Sequence, residues 1–477
     1  MNNIITKPLY TLEIEKDVRT VLRVGMVLFL FIQLALLIYF QEPLLIASIL
    51  LVILLGVFFF RNSELIFYIM ICYISIVPTV AFKPGFFPLY SSFNILLIFI
   101  LLIAIQLIFS TENSLKRKTV QFSLTDIILL LFLSWIIISI VYGFSMNPKK
   151  TIIKEANYIF LFSFYWWVTK LKAKQEWVKK FAKFYVILTT IVSIEFIFFV
   201  VRAMDIKSML FNRVVTQQPF LALFTVPLLI SYSLINRRLF TKFGILLLVI
   251  INVISVVLSQ WRALTGGLIV SIFSFFIIFS FRNGINHESW RTIARISAVV
   301  ILIITIVFFF SIKYIISLDT IESLFKRYKT FQSVIGDPSW NMRSSGIKAA
   351  LFEWRISPVI GRGFGNNFDP KNIFVVYNNQ LDNSYIYLLW KTGIIGVGLL
   401  LIFFSIILRH AFILISRLPD SWNRYYVCSV FSGFIGLMLS SYFYLSLMRY
   451  RFIIFWAIFL GTIEVLYHTA SHLESNV

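Results

Sequence analysis

Arginine keeps its charge under all protein conditions, and its planar fork grips phosphate oxygens two at a time. Two arginines of this chain stand where a charge is costly. Arg213 sits at the outer end of the eighth apolar run, before Gln217-Gln218-Pro219, and Arg262 falls in Ser259-Gln-Trp-Arg262-Ala-Leu-Thr265 between two others. Such a charge faces a polar cavity, pairs with an anion, or snorkels to a lipid headgroup. Squeezed into a turn between apolar runs, Arg262 fits the cavity better. Asp382 is the acid of greatest interest, because a long polar stretch returns to apolar sequence directly after it. An aspartate there can cap a helix, or it can take a proton from a hydroxyl if burial raises its pKa. Glu195, inside an apolar run, is expected to face a cavity.

The elements that must position these residues are membrane spans. The chain is 59% hydrophobic and 13% charged, where soluble domains average about 25% charged. Apolar runs of about 20 residues, enough for a bilayer core of about 30 Å, recur along its length. The expected fold is an all-α polytopic membrane protein with about 12–14 transmembrane helices. Spans are read at 22–40, 43–60, 64–82, 91–110, 124–143, 155–169, 181–201, 217–235, 243–260, 263–281, 296–314, 383–408, 425–444 and 449–467. Three regions follow: an N-terminal helix bundle at 1–314, a loop at 315–382, and C-terminal helices from 383 to 477. Lys/Arg-rich short loops, including Lys116-Arg-Lys118, Arg237-Arg238 and Arg409 to Arg424, put both termini in the cytoplasm and the long loop outside. Within that loop Ile321 to Phe331 and Met342 to Trp354 have helical apolar spacing, joined by the turn Gly336-Asp-Pro-Ser339. Pro338 suits a helix start, and the loop aromatics suit the bilayer interface.

Several functions are excluded. The net charge of +22 marks cytoplasmic loops and anionic lipid contact rather than nucleic acid, since no basic stripe interleaves with exposed aromatics on a soluble module. Cys72 and Cys428 lie in apolar runs and read as buried thiols. There is no HExxH, Walker loop or metal-spaced histidine pair, so neither metal nor cofactor is expected. His287, His410, His468 and His472 all map to the cytoplasmic side. Gly361-Arg-Gly-Phe-Gly365 lacks dinucleotide spacing and reads as a turn.

The layout from Asp382 onward resembles the O-antigen polymerase/O-antigen ligase family. Asp382-Asn383, nine residues and Gly393-Ile-Ile-Gly396 are similar to that family's His-Asn, nine-residue gap and Gly-x-x-Gly. Pro358-Val-Ile-Gly-Arg-Gly-Phe-Gly365 resembles its Pro-x-x-Gly-x-Gly turn, and Arg343 the arginine opening its loop helix. Ser259-Gln-Trp-Arg262 is similar to the Ser-Arg two spans earlier, and Arg213 with Pro219 to an arginine before a proline-containing helix start. The resemblance implies a GT-C-like architecture and a glycosyltransferase in the cytoplasmic membrane. Its donor would be a polyprenyl diphosphate-linked oligosaccharide, with membrane lipid, a flippase and a chain-length regulator as partners. It implies catalytic roles for Asp382, Arg262 and Arg213, and substrate binding by Arg343, Arg355, Arg362, Asn383 and Tyr385. Polymerisation of repeat units is the expected reaction. Transfer of finished glycan by a ligase is the first alternative, and a lipid-linked glycan flippase the second. Ligases of the family place histidine where Asp382 stands, which favours the polymerase.

Overall fold

A chain that crosses lipid must satisfy its backbone hydrogen bonds internally, and helices do so within one segment. The computed structural model describes residues 67–68, 71–72, 75, 123–146, 164–171, 175–203, 218–235, 242–259, 262–283, 338–366, 368, 381–419, 421–445, 447 and 449–475. These form α1 (Leu124–Met146), α2 (Gln175–Ala203), α3 (Ala222–Leu234), α4 (Lys242–Leu258), α5 (Arg262–Asn283), α6 (Pro338–Trp354), α7 (Ser384–Arg417), α8 (Trp422–Phe443) and α9 (Tyr450–Ser475). A π-helical turn, Trp167–Leu171, precedes α2, and a 3-10 turn, Gln218–Leu221, leads into α3. No strand occurs among the described residues. Six segments there are long and apolar enough to cross a membrane, with two shorter apolar helices beside them. The protein is an all-α, multi-pass membrane protein.

Hydropathy located the described spans to within a few residues at most ends, although α7 continues nine residues past its expected end. The spans expected at 22–40, 43–60, 91–110 and 296–314, and the loop helix at 321–331, lie outside the described residues. The loop helix expected from Met342 begins at Pro338 instead, where the fixed φ of proline suits a first helical turn.

Side-chain contacts define two ends of the bundle. Ser384, opening α7, donates to the Tyr444 carbonyl just past α8. His410, roughly 40 Å of helix further along α7, meets Glu464 of α9 at 2.7 Å. Asp382 and α6 therefore sit at one end, and His410, Glu464 and His468 at the other. Among the described residues, α5 crosses α8 closely. A Cβ on Gly267 would lie 2.7 Å from the Gly436 carbonyl oxygen, and one on Gly436 2.4 Å from that of Gly267. Small residues let two backbones approach this closely in lipid, where close packing rather than hydrophobic exclusion holds helices together.

Candidate active site

The site is built on a break in α7. Gly393 has φ 67° and ψ −168°, a conformation essentially confined to glycine, and it interrupts the helical hydrogen-bond ladder. The carbonyls just before it find partners elsewhere. Arg362 N–H donates to the Trp390 carbonyl at 2.7 Å and Gly363 N–H to that of Lys391 at 3.0 Å. From α1, Ser139 Oγ donates to the Lys391 carbonyl at 2.9 Å and Trp135 Nε1 to that of Thr392 at 2.8 Å. Ile394 N–H, just past the break, donates to the Pro358 carbonyl at 3.0 Å. The turn after Pro358 is thus a clamp across α7 and α1. Gly361 and Gly363 adopt φ 78° and 77° there, and a Cβ on either would come within 2.5 Å of the backbone opposite.

Beyond Gly393, α7 has 24 residues left, about 36 Å and enough to cross a bilayer core. Its first segment, 384–392, carries α6 instead. Ala349, Ala350, Phe368, Leu381 and Trp390 form a small core of their own there. Phe368 stacks on Trp390 at 4.4 Å, and Trp390 Nε1 donates to the buried Glu353 carboxylate at 3.2 Å.

At the start of this segment lies a shallow, open cleft lined by Arg343, Ile347, Asp382, Asn383, Tyr442 and Phe443. Arg343 Nε stands 3.5 Å from Asp382 Oδ2, and both side chains are about one-third exposed. Among the described residues Arg343 is the only hydrogen-bonding partner of Asp382. The helix cap expected of Asp382 belongs to its neighbour. Asn383 is extended, and its Oδ1 accepts from Tyr385 and Ile386 N–H, each at 3.0 Å. One residue farther from the helix, the Asp382 carboxylate points into the cleft.

The other residues singled out by sequence are distributed unevenly. Arg262 opens α5, with its side chain outside the described part; the antiparallel crossing of α5 on α8 brings that helix start to the Tyr442–Phe443 end. Arg213 lies outside the described residues. The 3-10 turn that follows it reaches the same end, with Phe220 stacked on Tyr444 at 5.6 Å. Arg355 and Arg362 are not in the cleft. Arg355 is about 18 Å of chain rise from Arg343, exposed beyond the far end of α6, while Arg362 Nε lies 3.9 Å from the Glu353 carboxylate beside the clamp. Tyr385 donates its hydroxyl to the Met438 carbonyl at 2.7 Å, joining α7 to α8. Glu195 lies on the exposed side of α2, where the sequence pointed to a cavity.

Sequence reasoning missed Tyr444 and Arg449. The Arg449 guanidinium lies 4.9 Å over the Tyr444 ring. Burial pushes the Tyr444 phenol up to about 12; Arg449 pulls it down and the Asp382 charge pushes it further up. The available signal was Arg449-Tyr-Arg451, two cations at a helix N-terminus where the dipole disfavours them.

Residues 246–403 match a family model described as O-antigen ligase. That stretch, a third of the chain, is similar to the O-antigen ligase family. It holds Arg262, Arg343, the glycine clamp, Asp382-Asn383 and Gly393–Gly396, and leaves Arg213, Tyr444 and Arg449 outside. No curated protein matches the chain significantly. The likeness is to an O-antigen ligase, and nothing in it favours the flippase alternative.

Proposed function

We propose that this protein polymerises polyprenyl diphosphate-linked oligosaccharide repeat units on the outer face of the cytoplasmic membrane. The observation that carries the reading is the Asp382–Arg343 pair at 3.5 Å in a cleft at one end of the bundle, inside the stretch similar to O-antigen ligase. Asp382 takes the proton from the acceptor sugar's hydroxyl as that oxygen attacks the donor's anomeric carbon. The bond from that carbon to the diphosphate breaks, and polyprenyl diphosphate leaves. No covalent glycosyl-enzyme forms, so configuration inverts. Arg343 holds Asp382 by one oxygen and leaves the other to the hydroxyl. Arg262, with Arg213, receives the charge that develops on the departing diphosphate, a role in which fixed cations are worth most. Arginines fill the place that a divalent ion takes in other diphosphate chemistry.

Aspartate in place of the family ligases' histidine supports polymerase over ligase. His410 and His468 lie at the opposite end of the bundle, so neither substitutes for the missing imidazole. The experiment replaces Arg262 with Ala and, separately, Asp382 with Asn, and compares surface polysaccharide length at equal membrane abundance. A single capped repeat unit in place of long chains supports the polymerase. Long lipid-linked chains that never reach a final acceptor indicate a ligase. Normal polymer from both variants refutes the assignment of these residues.

A further inference from the structure

Arg449 is a cation in an electrostatically poor position. It directly precedes α9, at the positive end of that helix's dipole. Among the described residues no carboxylate pairs with it. Its guanidinium lies over the face of Tyr444, a seat that holds a cation without neutralising it. The segment from Tyr444 to Arg449 is fixed to the start of α7. Ser384 Oγ donates to the Tyr444 carbonyl at 2.9 Å and accepts from Leu447 N–H at 3.3 Å, and Ser384 is two residues from Asp382. Tyr442 and Phe443, directly before this segment, line the Asp382 cleft. The Tyr444 hydroxyl lies within electrostatic reach of both Asp382 and Arg449. A positive charge is therefore held beside the cleft, unmatched by any carboxylate among the described residues, and Arg343 is already engaged with Asp382.

We propose that Arg449, seated on Tyr444, binds the diphosphate of the lipid-linked donor at the Asp382 cleft. This rests on the polymerase reading above and extends its binding site beyond the stretch similar to O-antigen ligase. The alternative is a cation–π contact that only steadies the turn between α8 and α9.

The test uses the full chain in lipid nanodiscs and farnesyl diphosphate as the probe, with binding measured directly. Arg449→Ala should raise Kd roughly ten- to hundredfold, the range expected for loss of a charge-assisted contact, with the melting midpoint unchanged. Arg449→Lys keeps a point charge and should recover part of the affinity. Tyr444→Phe should bind as the wild type, because the ring supplies the seat, and Tyr444→Leu should bind more weakly. If Arg449→Ala does not fold, Arg449→Gln against Arg449→Lys makes the same comparison. Wild-type affinity in the charge-removing variants overturns the proposal, as does failure of the wild type to bind farnesyl diphosphate. Asp382→Asn separates the two ideas. If it abolishes glycan joining while Arg449→Ala binds normally, the diphosphate seat falls and the polymerase stands. If Asp382→Asn is fully active while Arg449→Ala loses the probe, the seat stands and the catalytic reading falls.

Discussion

Gly393→Ala should release the loop from the bundle, and the size of the effect follows from the structure. Alanine at φ 67° and ψ −168° costs about 1–3 kcal/mol in backbone strain. Its Cβ would also stand 2.1 Å from the Val359 carbonyl oxygen and 2.4 Å from the Val359 carbonyl carbon, so the clamp has to move away. Three backbone hydrogen bonds join the clamp to α7, from Arg362, Gly363 and Ile394 N–H. At about 0.5–1.5 kcal/mol each, their loss brings the total to on the order of 5 kcal/mol. For a chain of this length that lowers the melting midpoint in detergent by on the order of 5 °C. Amide exchange should also rise at residues 361–364. Gly398→Ala is the internal control, since a Cβ there meets nothing within 4 Å in the same helix. It should be neutral or slightly stabilising. If Gly393→Ala melts and exchanges like Gly398→Ala, the break in α7 does not hold the loop.

Three further predictions use equally local contrasts. Gly267→Ala should destabilise the α5–α8 crossing, because its Cβ meets the Gly436 carbonyl, whereas Gly266→Ala next to it faces open space and should cost nothing; melting of the two variants side by side decides this. Asn383→Ala should lower stability by about 1 kcal/mol through loss of the α7 cap, and Asn383→Asp should largely preserve it, both read by thermal melting. Glu464 accepts from Thr125 Oγ1 and pairs with His410 and His468, so Glu464→Ala should cost about 3–5 kcal/mol by leaving buried partners unmatched. Membrane abundance should fall while the length distribution of any polymer made stays unchanged. His410, 15% exposed, should matter more than His468 at 46%.

Much of the architecture was legible because lipid imposes simple rules. Length and hydropathy identify a spanning helix, and the described spans appeared close to where those quantities put them. The separation of Asp382 from His410 and His468 followed from loop charge and holds in the contacts. What escaped was resolution of one residue and pairing over long distance. Asp382 and Asn383 are equally good caps by composition, and only the backbone shows that Asn383 caps while Asp382 is left for the cleft. Arg355 and Arg362 looked equivalent to Arg343 as loop cations, yet the length of α6 carries them to the clamp. The role of Gly393 depends on Ser139 and Gly363, far away in sequence, which no local pattern can supply.

These distant contacts explain why the two glycine motifs lie so far from the acid. Arg343 rides on α6, whose far end is held by the clamp at the α7 break and whose flank rests on Trp390. Asp382 directly precedes the same segment of α7. Residues 384–392 therefore act as a spacer with Asp382 at one end and the clamp at the other, and α6 lies along it with Arg343 opposite Asp382. Moving the break by one residue would turn Asp382 by about 100° relative to Arg343. An alanine inserted between Leu388 and Leu389 should accordingly abolish activity while preserving every side chain of the cleft. The same insertion after Leu399, beyond the break, should leave the Arg343–Asp382 pair intact.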